Sequence, residues 1–153
     1  PRLRKEVGFG GMVGGQAMDI AAEGQSLDVA ALKEVHLRKT GELIEASVLA
    51  GAICADATET QIAALHQFSK NIGLAFQVMD DVLDVTASSE TLGKTAGKDI
   101  AAEKSTYVAC MGVDDARAYA NQLLDEALAL LTPFGEAADS LSALSRLLVH
   151  RNS

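Results

Sequence analysis

Apolar residues recur every three or four positions along most of this chain, which is the spacing of one face of an α-helix. Strictly alternating runs, which would predict strands, are weak. The pattern therefore predicts an all-α fold, a helical bundle. The predicted helices span about residues 12–24, 28–39, 40–55, 56–86, 105–111, 114–131 and 139–150.

Several residues predict where these helices begin and end. Asp28 and Thr40 are suited to be N-caps, with a break in the helix at Lys39–Thr40, and Asp56 with Glu59 resembles a capping box. Gly24 should end the first helix. The helix over residues 40–55 should bury an apolar face, made of Leu43, Ile44, Val48, Leu49 and Ile53.

Two glycines stand inside the first predicted helix, at Gly14 and Gly15. Glycine weakens a helix interior, so the pair makes sense where another backbone or a ligand approaches closely.

An acidic stripe interrupts the fourth helix, where residues 76–85 read "FQVMDDVLDV". Its members fall within roughly 100° of arc on a helix that is otherwise apolar all round. We name as the stripe Gln77, Asp80, Asp81 and Asp84. Such a helix belongs in an interior, where like charges repel and lose solvation, so a compensating cation is expected. Magnesium suits this demand, since it accepts one or two carboxylates together with waters and phosphate oxygens.

Residues 87–104, "ASSETLGKTAGKDIAAEK", lose the helical period and predict a loop. The loop carries Lys94, Lys98 and Lys104, and glycines at 93 and 97 would let the backbone bend close to an anion. A carboxylate helix followed by a lysine-bearing loop is typical of a diphosphate site. The plainer alternatives are a solvated acidic face and solvated lysines, but few other polar residues flank the stripe, which disfavours a solvated face.

Composition narrows the class of protein. The 153 residues are 48% hydrophobic but only 4% aromatic, which favours one helical domain. The net charge of −8 argues against nucleic-acid or anionic-membrane partners. Cys54 and Cys110, interpreted as buried free thiols, form no zinc or disulfide pattern. No signal peptide or membrane-spanning run is visible, so we expect a soluble, cytoplasmic protein.

Five segments in order resemble the C-terminal part of the trans-isoprenyl diphosphate synthase family, and most of all its bacterial farnesyl diphosphate synthases (geranyltranstransferases). They read "GMVGGQAMDI", "HLRKTGELIEA", "IGLAFQVMDDVLD", "TLGKTAGKD" and "EKSTYVACMG". The resemblance runs from about Gly11 to the end. It implies an isoprenoid synthase fold, of which residues 1–153 are the C-terminal part of a single domain.

The resemblance also implies site residues. Asp80, Asp81 and Asp84 correspond to the family's second aspartate-rich motif and would bind magnesium, with Asp80 as a direct ligand. Lys39, Thr40 and Gln77 correspond to residues that line the reacting centre.

Further positions resemble the family's substrate-binding residues. Lys94 and Lys104 correspond to lysines that contact the allylic diphosphate, and Asp99 to an acidic residue of the same loop. Gln16 and Asp19 match a helix that faces the cavity. The last residues, "HRNS", are not assigned to the site.

The implied reaction joins an allylic diphosphate to isopentenyl diphosphate with magnesium, in a protein that is commonly a homodimer. The family's first aspartate-rich motif, its isopentenyl diphosphate site and its product-length residues have no counterpart here, so we expect the chain alone to be inactive.

Three alternatives stay open. One is a non-catalytic regulatory or scaffold subunit that pairs with a complete synthase. A second is a terpene cyclase, although two adjacent aspartates stand where that class has an Asn/Asp–Ser/Thr–Glu pattern. The third is an ordinary helical bundle with an accidental acidic cluster.

Overall fold

The computed structural model describes residue 8 and residues 11–22, 27–92 and 105–151, with side chains left aside at 88–92. Every element in these ranges is helical, which confirms the all-α prediction. The helices are α1 (Met12–Ala21), α2 (Val29–His36), a π-helical turn (Leu37–Gly41), α3 (Glu42–Cys54), α4 (Glu59–Leu92), α5 (Tyr107–Met111), α6 (Val113–Leu131), a 3-10 helix (Thr132–Ala138) and α7 (Asp139–Val149).

The observed start of α2 agrees with the start predicted from the sequence. Asp28 has extended backbone angles, and its carboxylate accepts a hydrogen bond from the backbone N–H of Ala31 at 2.8 Å, so it is the predicted N-cap. Leu32 and Val35 face the core. Gly24, the predicted end of the first helix, lies outside the described residues.

The predicted break at Lys39–Thr40 is wrong. The chain remains helical from α2 into α3 through the π-helical turn, and the residue that precedes α3, Gly41, has helical backbone angles and no capping side chain. Thr40 is therefore not an N-cap. A π-turn accommodates an extra residue without interrupting the helix, and such turns are frequent at functional sites.

The apolar face predicted for α3 is only partly correct. Leu49 is buried, and Ile44 and Val48 are half-buried, but Leu43 and Ile53 are 40% and 49% exposed. The spacing of apolar residues predicts which side of a helix is apolar, but not which part of that side the neighbouring helices cover. The small residues Ala46 and Ala52 complete the buried side.

The long helix α4 begins differently from the prediction. Asp56 has a left-handed φ of 52° and caps nothing. Two residues later, Thr58 and Gln61 form a reciprocal capping box: Gln61 Oε1 accepts from the Thr58 backbone N–H at 2.9 Å, and Thr58 Oγ1 accepts from the Gln61 backbone N–H at 3.3 Å. The helix then continues to Leu92, beyond the predicted end near Thr86.

The core forms around α4, which packs along α6 and against α3. Alanines on α6 let the two helices approach closely, and Leu123 and Leu124 fill the space between them. As predicted, α4 runs through the interior. Its buried apolar residues include Phe68, Ile72, Leu74, Val78, Met79 and Val82.

The remaining helices are close to their predicted bounds. Gly112 follows the last residue of α5, and Gly135 lies within the 3-10 helix. Both have a positive φ, which glycine adopts freely. Cys54 and Cys110 are exposed rather than buried. Among the helices of the described ranges, none is both long and apolar enough to cross a membrane.

Candidate functional site

The stripe lies along one edge of α4, as its spacing predicts, but it is not buried. Gln77, Asp80 and Asp81 are half-buried and Asp84 is exposed, whereas Val78 and Val82 on the other side of the helix are in the core. The expectation of a buried acidic face is therefore wrong for the described part of the chain. Partial solvation lowers the mutual repulsion of the carboxylates.

Asp80 pairs with a residue that sequence reasoning left unassigned. The Nη2 atom of Arg151 donates to Asp80 Oδ1, and the guanidinium carbon lies 4.1 Å from the centroid of the Phe76 ring. The neighbouring His150 Nε2 lies 2.9 Å from Asn121 Oδ1 on α6, which holds the end of α7 in place. The arginine in "HRNS" was the only sequence feature that could have indicated this contact.

Asp81 makes a different contact. Its Oδ2 atom accepts a hydrogen bond from the backbone N–H of Tyr107 at 2.8 Å, which joins α4 to the start of α5. Tyr107 is fully buried, with its ring 5.5 Å from that of His36 and 6.0 Å from that of Tyr119. Burial raises the pKa of the Tyr107 hydroxyl well above its usual range, because the phenolate would lose its solvation.

The π-turn lies against the beginning of the stripe. A Cβ atom on Gly73 would stand 2.9 Å from the Cα of Gly41, so the two backbones touch. Gln77 follows Gly73 by one helical turn on the same side, about 6 Å along the axis. The structure thus places the π-turn, which holds Lys39 and Thr40, next to Gln77 at the N-terminal end of the stripe.

Lys39 itself is paired within the site. Its Nζ atom lies 2.6 Å from Asp19 Oδ2 on α1, and both side chains are largely shielded from solvent. Gly15 makes this approach possible, since a Cβ there would fall 2.3 Å from the Lys39 backbone nitrogen. This confirms the close backbone approach expected at that glycine. Gln16, the other residue predicted on α1, is exposed.

Residues 87–92 of the predicted loop belong to α4, so that part of the prediction is wrong. The rest of the loop, with Lys94, Lys98, Asp99 and Lys104, lies outside the described residues. Chain connectivity alone relates it to the site, because Lys104 precedes Ser105, where the described fold resumes. Ser105 Oγ accepts from the backbone N–H of Leu27 at 2.8 Å. Residues 105–107 are thereby held to two separate elements, the start of α2 and the edge of α4.

The donor set fits magnesium. In the ranges that the structure describes, no group of three or more His, Cys, Asp or Glu side chains is arranged to hold a metal ion. Magnesium does not need such a group, since it is bound through one or two carboxylates plus waters and phosphate oxygens. Asp80 and Asp84 are one turn apart on the accessible edge of α4, and their hard oxygen atoms are the ligands that this ion prefers.

Two apolar cavities adjoin α3, of about 530 and 330 Å³. Both are lined mainly by aliphatic and small side chains, including Val48 and Leu141, and neither is lined by a stripe residue. Neither cavity is therefore part of the stripe.

Comparison with known proteins gives a consistent family. The polyprenyl synthetase family profile matches residues 5–144. The chain is 42% identical to farnesyl diphosphate synthase of Escherichia coli (strain K12) and 44% identical to the chloroplastic geranylgeranyl pyrophosphate synthase of Catharanthus roseus. It is covered to 98% and 99%, and spans 52% and 43% of those proteins.

A solved structure agrees. Geranyltransferase from Helicobacter pylori, complexed with magnesium and isoprenyl diphosphate, superposes with a TM-score of 0.74 at 33% identity, over 95% of this chain and 48% of that one. The chain thus spans about half the length of the curated relatives it matches. The resemblance seen in the five sequence segments and the all-α isoprenoid synthase fold are confirmed, and the chain belongs to the polyprenyl synthetase family.

Proposed function

We propose that residues 1–153 are the C-terminal part of a single isoprenoid synthase domain, and that the whole protein is a magnesium-dependent prenyltransferase. It condenses an allylic diphosphate, dimethylallyl or geranyl, with isopentenyl diphosphate to give farnesyl diphosphate. The observation that carries the proposal is the contact of Gly41 with Gly73, which sets Lys39 and Thr40 at the head of the aspartate stripe.

The stripe provides the metal-binding side of the site. Asp80, Asp81 and Asp84 are its candidate carboxylates, and a solved relative contains magnesium together with an isoprenyl diphosphate. When bound, magnesium supplies neutralisation of the diphosphate leaving group. Lys94 and Lys104, with Gln16, bind the same substrate, because ammonium and amide groups donate to phosphate oxygens.

The π-turn faces the carbon skeleton. The Lys39 carbonyl, the Thr40 hydroxyl and the Gln77 amide direct their dipoles toward the allylic carbon, where positive charge develops as diphosphate leaves. The departed diphosphate can take the proton from the condensed product, so no protein base is required.

Product length, assembly and compartment are parts of the same proposal. Farnesyl diphosphate is proposed over geranylgeranyl diphosphate, although named relatives of both kinds are similarly identical to this chain, at 42% and 44%. We further propose a cytoplasmic homodimer, and that the isolated 153-residue chain is inactive.

The test is condensation of radiolabelled isopentenyl diphosphate with geranyl diphosphate by the whole protein that contains this chain. The double variant D80N/D84N should lose activity roughly 100-fold or more, because charge stabilisation at the leaving group is removed. The matched control is D125N, an exposed aspartate on α6. Chromatography of the labelled products separates farnesyl from geranylgeranyl diphosphate.

Three results would contradict parts of the proposal. Full activity of D80N/D84N would overturn the metal assignment. Product formed by the isolated chain would overturn its inactivity. If the whole protein shows no condensation but binds a complete synthase, the regulatory or scaffold function is the correct one.

A further inference from the structure

Lys39 is held by α1 at two points. Its ammonium Nζ lies 2.6 Å from Asp19 Oδ2, and its backbone nitrogen lies 2.3 Å from the position that a Cβ on Gly15 would take. Gly15 and Asp19 are four residues apart on α1, so they lie on the same face of that helix, about 6 Å apart along its axis. One face of α1 therefore contacts both the backbone and the side-chain end of a single residue of the π-turn.

The neighbouring ion pair is local and exposed. Arg38 Nε pairs with Glu34 Oε1 at 2.7 Å, four residues earlier in the chain, and the two side chains are 40% and 51% exposed. Exposed pairs of this spacing contribute little to stability. The Lys39–Asp19 pair joins residues 20 positions apart, and its side chains are only 30% and 20% exposed. Because water screens this pair less, it restrains Lys39 more strongly than Glu34 restrains Arg38.

A lysine without this partner would not keep one position. Its flexible side chain ends in a compact ammonium, which several rotamers can turn toward solvent. Pairing with Asp19 selects one arrangement and holds the π-turn against α1. At the end of the π-turn, Gly41 touches Gly73 on α4, one helical turn before Gln77. The ion pair therefore fixes the π-turn between α1 and the N-terminal end of the stripe.

We propose that Asp19 is a positioning residue of the prenyl-transfer site, which acts through Lys39 and touches neither substrate nor magnesium. It holds the π-turn where the Lys39 carbonyl and the Thr40 hydroxyl face the allylic carbon. The inference rests on the proposed function and names a further residue for the same site. Because Asp19 acts on the alignment of reacting groups, its loss should lower the rate of the chemical step rather than the affinity for substrate.

A double-mutant cycle on the whole protein that contains this chain tests whether Asp19 acts through Lys39. D19A removes the carboxylate, K39M removes the ammonium but keeps the backbone carbonyl, and D19A/K39M removes both charges. In the condensation of radiolabelled isopentenyl diphosphate, kcat should fall about tenfold or more in each single variant, because small misplacements of reacting groups slow a reaction by such factors. The double variant should stay within about threefold of K39M, since Asp19 then has no ammonium to hold.

Two further readouts separate positioning from other roles. In D19A, the KM of each substrate and the Mg²⁺ concentration at half-maximal rate should stay within about twofold of wild type. The matched control is E34A, which breaks the exposed pair of Arg38 and should leave kcat unchanged. A purely structural role of Asp19 would lower the melting temperature of D19A and leave the kcat of the folded enzyme unchanged.

Thermal unfolding verifies that each variant is folded at the assay temperature. If D19A is not, the comparison of D19N with D19N/K39M replaces it, because asparagine keeps the shape of the side chain and loses the charge. D19N should then lower kcat at least about threefold, since a hydrogen bond between two charged groups is about twice as strong as a neutral one.

Unchanged kcat in the folded aspartate variant, or losses that multiply in the double variant, would overturn the positioning role. A several-fold rise in the KM of either diphosphate or in the Mg²⁺ requirement would overturn it as well, because Asp19 would then contact substrate or metal. If the wild-type whole protein shows no condensation, the proposed function fails and this inference fails with it. An active wild type with an equally active D19A overturns the inference alone.

Discussion

The backbone nitrogen of Lys39 lies 2.3 Å from the point where a Cβ atom would stand on Gly15. A side chain on Gly15 would also meet the backbone of Arg38, which cannot move aside without distorting the π-turn. Helix α1 and the π-turn are therefore packed backbone to backbone, and the Lys39–Asp19 ion pair depends on that contact.

G15A should consequently destabilise the chain by about 1–3 kcal/mol, as overpacking of a tight contact does. The measurement is urea unfolding followed by circular dichroism. Gly51 is the matched control, because it lies within α3 and a Cβ there meets nothing within 4 Å. G51A should raise the free energy of unfolding by about 0.5–1 kcal/mol through higher helix propensity. Equal effects of the two substitutions would contradict the close approach.

A second prediction distinguishes the observed start of α4 from the one read in the sequence. T58A should cost about 1 kcal/mol, because it removes the hydroxyl that accepts from the Gln61 N–H. D56G should be neutral or stabilising, since Asp56 has a left-handed φ that glycine adopts freely. Thermal unfolding of both variants provides the comparison. A larger loss in D56G than in T58A would restore the capping box predicted at Asp56 and Glu59.

Arg151 gives a prediction about metal affinity. Its guanidinium pairs with Asp80, so it competes with any cation that binds that carboxylate. R151A should bind Mg²⁺ with diphosphate about threefold to fivefold more tightly, a modest effect because both side chains are partly solvated. Calorimetry provides the affinities, and R117A, at an exposed arginine on α6, is the control. Weaker binding in R151A would mean that Arg151 contacts the diphosphate instead.

The buried Tyr107 hydroxyl predicts alkaline sensitivity. Burial and nearby negative charge raise its pKa in the folded chain, whereas unfolded tyrosine titrates near 10. The folded state therefore retains a proton that the unfolded state releases. This contribution to stability is complete below pH 10 and is lost as the pH rises toward the folded pKa.

Y107F lacks this titration and keeps the ring and the backbone N–H. Within the described residues the Tyr107 hydroxyl has no hydrogen-bond partner, so its removal should cost little at neutral pH. Between pH 9 and pH 11, wild type should lose roughly 1 kcal/mol more unfolding free energy than Y107F. Urea unfolding at both pH values measures the difference, and parallel losses in the two proteins would show that the hydroxyl ionises freely in the fold.

Much of the fold could be predicted because helix periodicity and caps are local signals. Asp28 and the apolar character of α4 both act through neighbours within a few residues. The π-turn could not be predicted, because an inserted residue leaves no distinct mark on the local sequence. It is evident only from the close contacts that Gly15 and Gly41 make with the backbones of other segments.

The site divides in the same way. The spacing of Asp80, Asp81 and Asp84 placed them on one edge of α4, but it could not distinguish their partners, which come from the distant residues Arg151 and Tyr107. Nor could it predict that the edge is solvated. Such pairings depend on the angles at which helices cross, and a short stretch of sequence does not reveal those angles. The roles of Lys94 and Lys104 stay predictions.

The π-turn also sets the angular offset of everything that follows it. Deletion of one residue between Leu37 and Gly41 would convert the π-turn into regular α-helix and would rotate α3 by about 100° about its axis. Leu49 and Ala52 would swing out of the interior, and Gly41 would no longer meet Gly73. The one extra residue of the π-turn therefore sets the rotation of α3 about its axis relative to its neighbours. No side-chain substitution could change that rotation.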